Sequence, residues 1–120
     1  MNYHLVWTPK YRYKLIVGNV EKRLKELLRE KCQQLNIKIL SLETMPDYIH
    51  IFVRTSPIIA PNSIVGALKG YTSRVLRQEF THLKSRLPTL WTRSYFVSTY
   101  GHVSAKTIEQ YIEEQQPRVQ

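Results

Sequence analysis

Acidic residues are scarce in this chain. Nine Asp and Glu stand against eighteen Lys and Arg over 120 residues, a formal charge of +9. A compact basic domain with so little acidic counterweight most often meets a polyanion, and the charge speaks against a metabolic enzyme or regulator of small molecules. Cysteine is scarcer still. The lone Cys32 excludes an internal disulfide and any cysteine-based zinc centre. No apolar run approaches the roughly 18 residues of a membrane span. The opening MNYHLVWTPKYR does not read as a signal peptide. A cytoplasmic protein without a membrane partner is expected. There is no internal repeat, low-complexity stretch or linker, and the length suits one domain, residues 1–120.

The positive charge is unevenly spread. Residues 69 to 93 hold Lys69, Arg74, Arg77, Lys84, Arg86 and Arg93 against Glu79 alone, and Lys10, Arg12 and Lys14 follow one another without an acid. Tyr11, Tyr13, Tyr71, Trp91 and Tyr95 are interleaved with them. Cations neutralise phosphates, and aromatic rings stack on unpaired bases, so the pattern suits single-stranded or looped nucleic acid. Lys10, Arg12, Lys14, Lys69, Arg74, Arg77 and Arg93 are the candidate nucleic-acid contacts. Many of the aromatics serve equally well as core.

Periodicity organises the rest. Residues 3 to 7 (YHLVW) form a short aromatic and β-branched strand ended by Pro9. A basic loop runs to Gly18. Asn19 is a plausible cap for a helix with Val20, Leu24, Leu27, Leu28, Cys32 and Leu35 on one face, stopped near Asn36. Residues 37 to 43 alternate as a strand, Met45-Pro46-Asp47 turns, and residues 48 to 55 return. After a proline-containing loop, with Asn62 as a candidate cap, residues 63 to 80 form a second helix. Residues 81 to 92 read as irregular and basic, and residues 93 to 99 as a fourth strand. Ser104 caps a third helix running to about Gln116, with Pro117 beyond its end. The order βαββαβ plus a helix predicts an α+β, ferredoxin-like domain: a four-stranded antiparallel sheet, two helices on one face, and a C-terminal helix.

Within MPDYIHIFVR, residues 45 to 54, strand alternation puts Tyr48 and His50 on one sheet face. A lone strand histidine is ordinarily a half-exposed polar residue. Likewise, helical spacing alone makes Tyr111 a packing ring and Gln115, four residues on, a solvated surface group.

Three segments change that reading. YHLVWTPKYRYK (3 to 14), MPDYIHIFV (45 to 53) and LWTRSYFVSTYGHVSAKTIEQYIEEQ (90 to 115) resemble the single-tyrosine HUH transposases of the insertion-sequence 200/605 family. The resemblance spans nearly the whole chain in order. It implies a ferredoxin-like homodimer that cuts and rejoins single-stranded DNA at hairpin-marked ends of a small mobile element. It implies Tyr111 as the nucleophile, acting in its own subunit or across the dimer. It implies a divalent metal, Mg²⁺ or Mn²⁺, held by His50 and Gln115. The chemistry is coherent. A phenol of pKa near 10 is a poor nucleophile at neutral pH, and a cation on the scissile phosphate offsets the developing charge.

One position departs from the family pattern. Where the family places the first histidine of its pair, this chain has Tyr48. Neutral phenol is a poor ligand for hard cations, and ionising it at pH 7 costs about 4 kcal/mol at a pKa near 10. Another group could substitute: Asp47, which should point to the opposite face, or His4 on a neighbouring strand. A copy impaired at Tyr48, binding DNA but cleaving poorly, is preferred over rescue by another residue. A catalytically silent hairpin binder is the main rival class, since βαββαβ also describes RNA-recognition domains, although no convincing glycine-aromatic RNP motif is present. His82 and His102 read as loop residues and Trp91 as packing. Replacing Tyr48 by His is expected to raise Mn²⁺ affinity in calorimetry and to raise cleavage; equal activity in both proteins would sink that preference.

Overall fold

The computed structural model describes residues 1–115; Gln116 and Pro117, where the last helix was expected to end, lie outside them. The elements are β1 (Asn2–Trp7), a 3₁₀ turn (Lys10–Arg12), α1 (Gly18–Gln34), β2 (Lys38–Met45), β3 (Tyr48–Arg54), α2 (Pro61–Glu79), α3 (Thr81–Arg86), β4 (Phe96–Ser98) and α4 (Ala105–Glu114). The four strands form one antiparallel sheet in the order β2-β3-β1-β4. This is the expected ferredoxin-like arrangement, with the C-terminal helix present.

Local chemistry explains most boundaries and corrects some. The N-terminus of α1 is Gly18 at φ +55°, a left-handed conformation that glycine adopts without strain, and not Asn19. Asn36 ends the same region at φ 57°, a conformation asparagine tolerates better than most residues. At α2, Pro61 opens the helix, where its missing N–H is no loss, so Asn62 is not the cap. Ser104 does cap α4: its hydroxyl accepts from the Thr107 N–H at 3.2 Å. The stretch expected to be irregular contains α3. The fourth strand is only three residues long, because it pairs with β1 at His4, Leu5 and Val6 alone.

Sheet alternation divides the molecule. Tyr3, Leu5 and Trp7 of β1 and Ile49, Ile51 and Val53 of β3 point to one face. There they meet Val20, Leu24, Leu27 and Leu28 of α1 and Ile64, Leu68 and Leu76 of α2. Trp7 and Trp91 pack edge to face at 6.2 Å, and the Trp91 indole N–H donates to Thr72 Oγ1 at 3.0 Å. His4, Val6, Tyr48, His50 and Phe52 take the opposite face. Among the described residues only α4 covers that face, through Ile108, Tyr111 and Ile112 packed with Val6, Phe96, Tyr48 and Val103. Among the described residues no helix is long and apolar enough to cross a membrane.

The sealed centre of the sheet and its exposed β4 edge should differ sharply in cost. Ile51→Ala, in the sealed core, is expected to lose about 2–5 kcal/mol in urea unfolding. Val97→Ala, on an exposed side chain of β4, should lose under about 1 kcal/mol.

Candidate active site

Alternation places His4 and His50 on adjacent strands and the same face, and their rings meet: His4 Nδ1 lies 2.9 Å from His50 Nε2. His4 also stacks flat on Phe52, with centroids 3.9 Å apart. The other nitrogen of His4, Nε2, is 3.3 Å from the Gly101 carbonyl. A carbonyl only accepts, so Nε2 carries the proton. In the neutral pair, His4 Nδ1 is then an acceptor, His50 Nε2–H is the donor, and His50 Nδ1 keeps a bare lone pair. That nitrogen faces Glu43 Oε2 at 3.9 Å. Burial, then the neighbouring His4, push the His50 pKa below its ordinary value, with Glu43 opposing; His50 is therefore neutral at pH 7.

The second cluster is built on α4. Ile108, Tyr111 and Ile112 recur at helical spacing and dock on the sheet, which buries the Tyr111 ring. The Ser94 hydroxyl donates to Gln115 Oε1 at 2.8 Å. Its single proton is thereby committed, so in the 2.9 Å contact the Tyr111 hydroxyl donates to Ser94 Oγ. Burial raises the Tyr111 pKa; the Ser94 hydrogen bond opposes this, and Glu114 adds to it. The segment bearing Ser94 is fixed from below. Lys69 Nζ donates to the carbonyls of Thr92, at 2.5 Å, and Ser94, at 3.1 Å. Desolvation lowers that ammonium's pKa to about 8.

Two of the expected nucleic-acid contacts are engaged by the protein's own backbone. Lys69 turns inward, because the irregular segment leaving Trp91 has carbonyls that need donors. Arg77 similarly donates to the carbonyls of Leu87 and Pro88. Lys14, Arg74 and Arg93 are exposed, with Arg74 over the Tyr71 ring at 5.6 Å. Lys10 lies 5.3 Å over Tyr11, and Arg12 reaches Asp47 at 3.4 Å. Asp47 is thus paired with Arg12 and does not stand in for a metal ligand. His82 is exposed and packs on the edge of Phe80.

The divalent-metal set implied by the resemblance does not fit these residues. Tyr48 offers a phenol whose pKa is pushed up by burial, then by Glu43, Asp47 and Glu109. Gln115 Oε1 is engaged by Ser94. His4, which did come within reach of His50, uses its acceptor nitrogen on that ring. Among the described residues no three His, Cys, Asp or Glu converge. What remains is one bare nitrogen, His50 Nδ1, opposite an exposed carboxylate.

Sequence reasoning missed Ser94 and Glu43. Glu43 was findable, because it ends the alternating run IKILSLE and pairs directly with His50. Ser94 was read as part of a strand over residues 93 to 99, but β4 begins only at Phe96, so strand alternation does not set its direction.

Comparison with known proteins gives a consistent picture. A family model described as "Transposase IS200 like" matches residues 1–115. The ISDra2 transposase TnpA of Deinococcus radiodurans is 35% identical over 117 residues, covering 96% of this chain and 84% of that protein. The transposase for insertion sequence element IS200 of Salmonella typhimurium is 36% identical over 115 residues, covering 94% and 75%. A crystal structure from Deinococcus radiodurans R1 superposes with a TM-score of 0.91 at 37% identity, over 98% of this chain and 92% of that one. The REP-associated tyrosine transposase bound to a REP hairpin gives 0.55 at 12% identity, over 93% and 62%, a likeness of fold alone.

If Ser94 steadies the phenolate, Ser94→Ala should move the Tyr111 titration to higher pH. The check is an ultraviolet difference titration of the Ser94→Ala protein, with and without Tyr111→Phe. An unmoved Tyr111 titration would refute that role.

Proposed function

Because this chain belongs to the IS200-like transposase family, we propose that it nicks and rejoins single-stranded DNA at hairpin-marked ends through a 5′-phosphotyrosine on Tyr111. The observation that carries this reading is the hydrogen-bonded chain from Tyr111, on the helix that closes the His50 face, through Ser94 to Gln115. In the first step the Tyr111 oxygen attacks phosphorus. The phosphorus–O3′ bond breaks, and the departing 3′-oxygen takes up a proton. The phenol's own proton leaves to solvent, and the Ser94 hydroxyl turns from Gln115 to donate to the phenolate. Attack by a 3′-hydroxyl on the phosphotyrosine reverses the step and seals a strand without ATP. Hairpin recognition is supported by the REP-associated relative of the same fold, whose structure holds a hairpin.

Because Tyr48, Gln115 and His4 leave one open nitrogen, on His50, the proposal routes no step through Mg²⁺ or Mn²⁺. A homodimer, with Tyr111 working in its own subunit or its partner's, is proposed on the strength of the segment before α4. There Tyr100 is 77% exposed, and the Gly101 carbonyl accepts from His4. The neutral phenol at Tyr48 favours a second reading, a hairpin-binding protein that cleaves poorly.

A hairpin oligonucleotide drawn from the DNA flanking the gene decides between them. The expected result is a covalent protein–DNA adduct on a denaturing gel that is absent with Tyr111→Phe. An adduct that persists in Tyr111→Phe would overturn the nucleophile. Tight hairpin binding without adduct, restored by Tyr48→His, would establish the impaired reading instead.

A further inference from the structure

Against the far side of Gln115 lies a polar cavity of about 280 Å³, walled by Thr8, Lys10, Arg12, Thr92, Glu114 and Gln115. Gln115 belongs to both this wall and the Tyr111–Ser94 chain, so the cavity adjoins the candidate nucleophile through two hydrogen bonds. The wall contains two buried polar atoms with no hydrogen-bond partner in the protein, Thr8 Oγ1 and Arg12 Nε. Thr8 is fully buried, and native proteins seldom leave such atoms unsatisfied. Asp47 takes one terminal nitrogen of Arg12, at 3.4 Å, and not Nε.

The backbone here is held open at a cost. Tyr11 and Arg12 sit in succession at φ 59° and φ 55°, the left-handed region that residues with a Cβ rarely enter. Strain of that kind collects at ligand clamps. It is maintained by flanking hydrogen bonds, Lys10 N–H to the Leu90 carbonyl at 2.8 Å and Thr92 N–H to the Thr8 carbonyl at 3.1 Å. Two cations therefore face one carboxylate, Glu114, in a cavity large enough for a tetrahedral oxyanion.

We propose that this cavity is a phosphate subsite, taking the backbone phosphodiester adjacent to the one Tyr111 attacks, with Arg12, Lys10 and the Thr8 hydroxyl as donors. That the phosphate belongs to a DNA strand rests on the nicking reading; the anion chemistry of the cavity does not. Its function is to fix the strand's register, so that the neighbouring phosphorus lies within reach of Tyr111.

Glu114 makes the test one of sign. For a phosphate site, Glu114→Gln removes a repulsion and tightens binding; for a cation site it removes a ligand and weakens it. Inorganic phosphate is titrated into the ¹⁵N-labelled protein, followed by oligothymidylate as competitor. We expect saturable shifts of the Lys10, Thr92 and Gln115 amides, displaced by the oligonucleotide. Affinity should rise in Glu114→Gln and fall about tenfold in the near-isosteric Thr8→Val, the loss expected for one hydrogen bond to a charged group. Unmoved amides, weaker phosphate binding in Glu114→Gln, or unchanged affinity in Thr8→Val would each overturn the subsite. Shifts that oligothymidylate fails to displace would overturn its assignment to a DNA phosphate. The adduct assay separates the two ideas. A Tyr111-dependent adduct alongside unchanged phosphate affinity in Thr8→Val removes the subsite only. Phosphate binding as expected with no adduct removes the nicking reading only.

Discussion

Period-two alternation along β1 and β3 is the constraint on which everything else rests. These two strands occupy the centre of the sheet, so neither face can be wasted. Leu5, Trp7, Ile49, Ile51 and Val53 must all point to one side to be sealed by α1 and α2. The intervening residues have no choice but to point to the other. A slip of one residue would bury His4 and His50 in the helix layer and push the core into water. The chemistry-bearing face is thus specified by the hydrophobic energy of the opposite one.

That second face is covered thinly. Three side chains of α4 do most of the work, and the helix reaches the sheet through a short uncovered segment. Precision at Tyr111 must come from elsewhere, and it comes from Lys69. A half-buried ammonium holds the Thr92 and Ser94 carbonyls, Ser94 holds the phenol and the Gln115 amide, and the irregular strand entry acquires a fixed geometry. A charge that reads in the sequence as a phosphate contact fastens the residue beneath Tyr111, the candidate nucleophile.

The fold was legible because its signals are local and periodic: apolar spacing in α1 and α2, alternation in β2 and β3, and the Ser104 cap. The candidate site was legible where a motif or alternation fixed direction, as for Tyr48, His50, Tyr111 and Gln115. It failed where direction depends on tertiary partners. Lys69 and Arg77 sit amid a basic run, and composition cannot say that nearby carbonyls would draw their heads inward. Ser94 lies between elements, where no period applies. The paired histidines were anticipated as neighbours, but their proton arrangement needed the Gly101 carbonyl, fifty-one residues beyond His50 in the chain.

That carbonyl has a consequence of its own. Gly101 lies in the segment that delivers α4, and by accepting from His4 Nε2 it fixes the tautomer of His4 and, through it, that of His50. Were α4 to swing away, His4 would lose its acceptor and either ring nitrogen could carry the proton. The lone pair at His50 Nδ1 would then no longer be assigned. The sheet face therefore keeps a one-bit record, written in proton positions, of whether the helix that bears the tyrosine is seated.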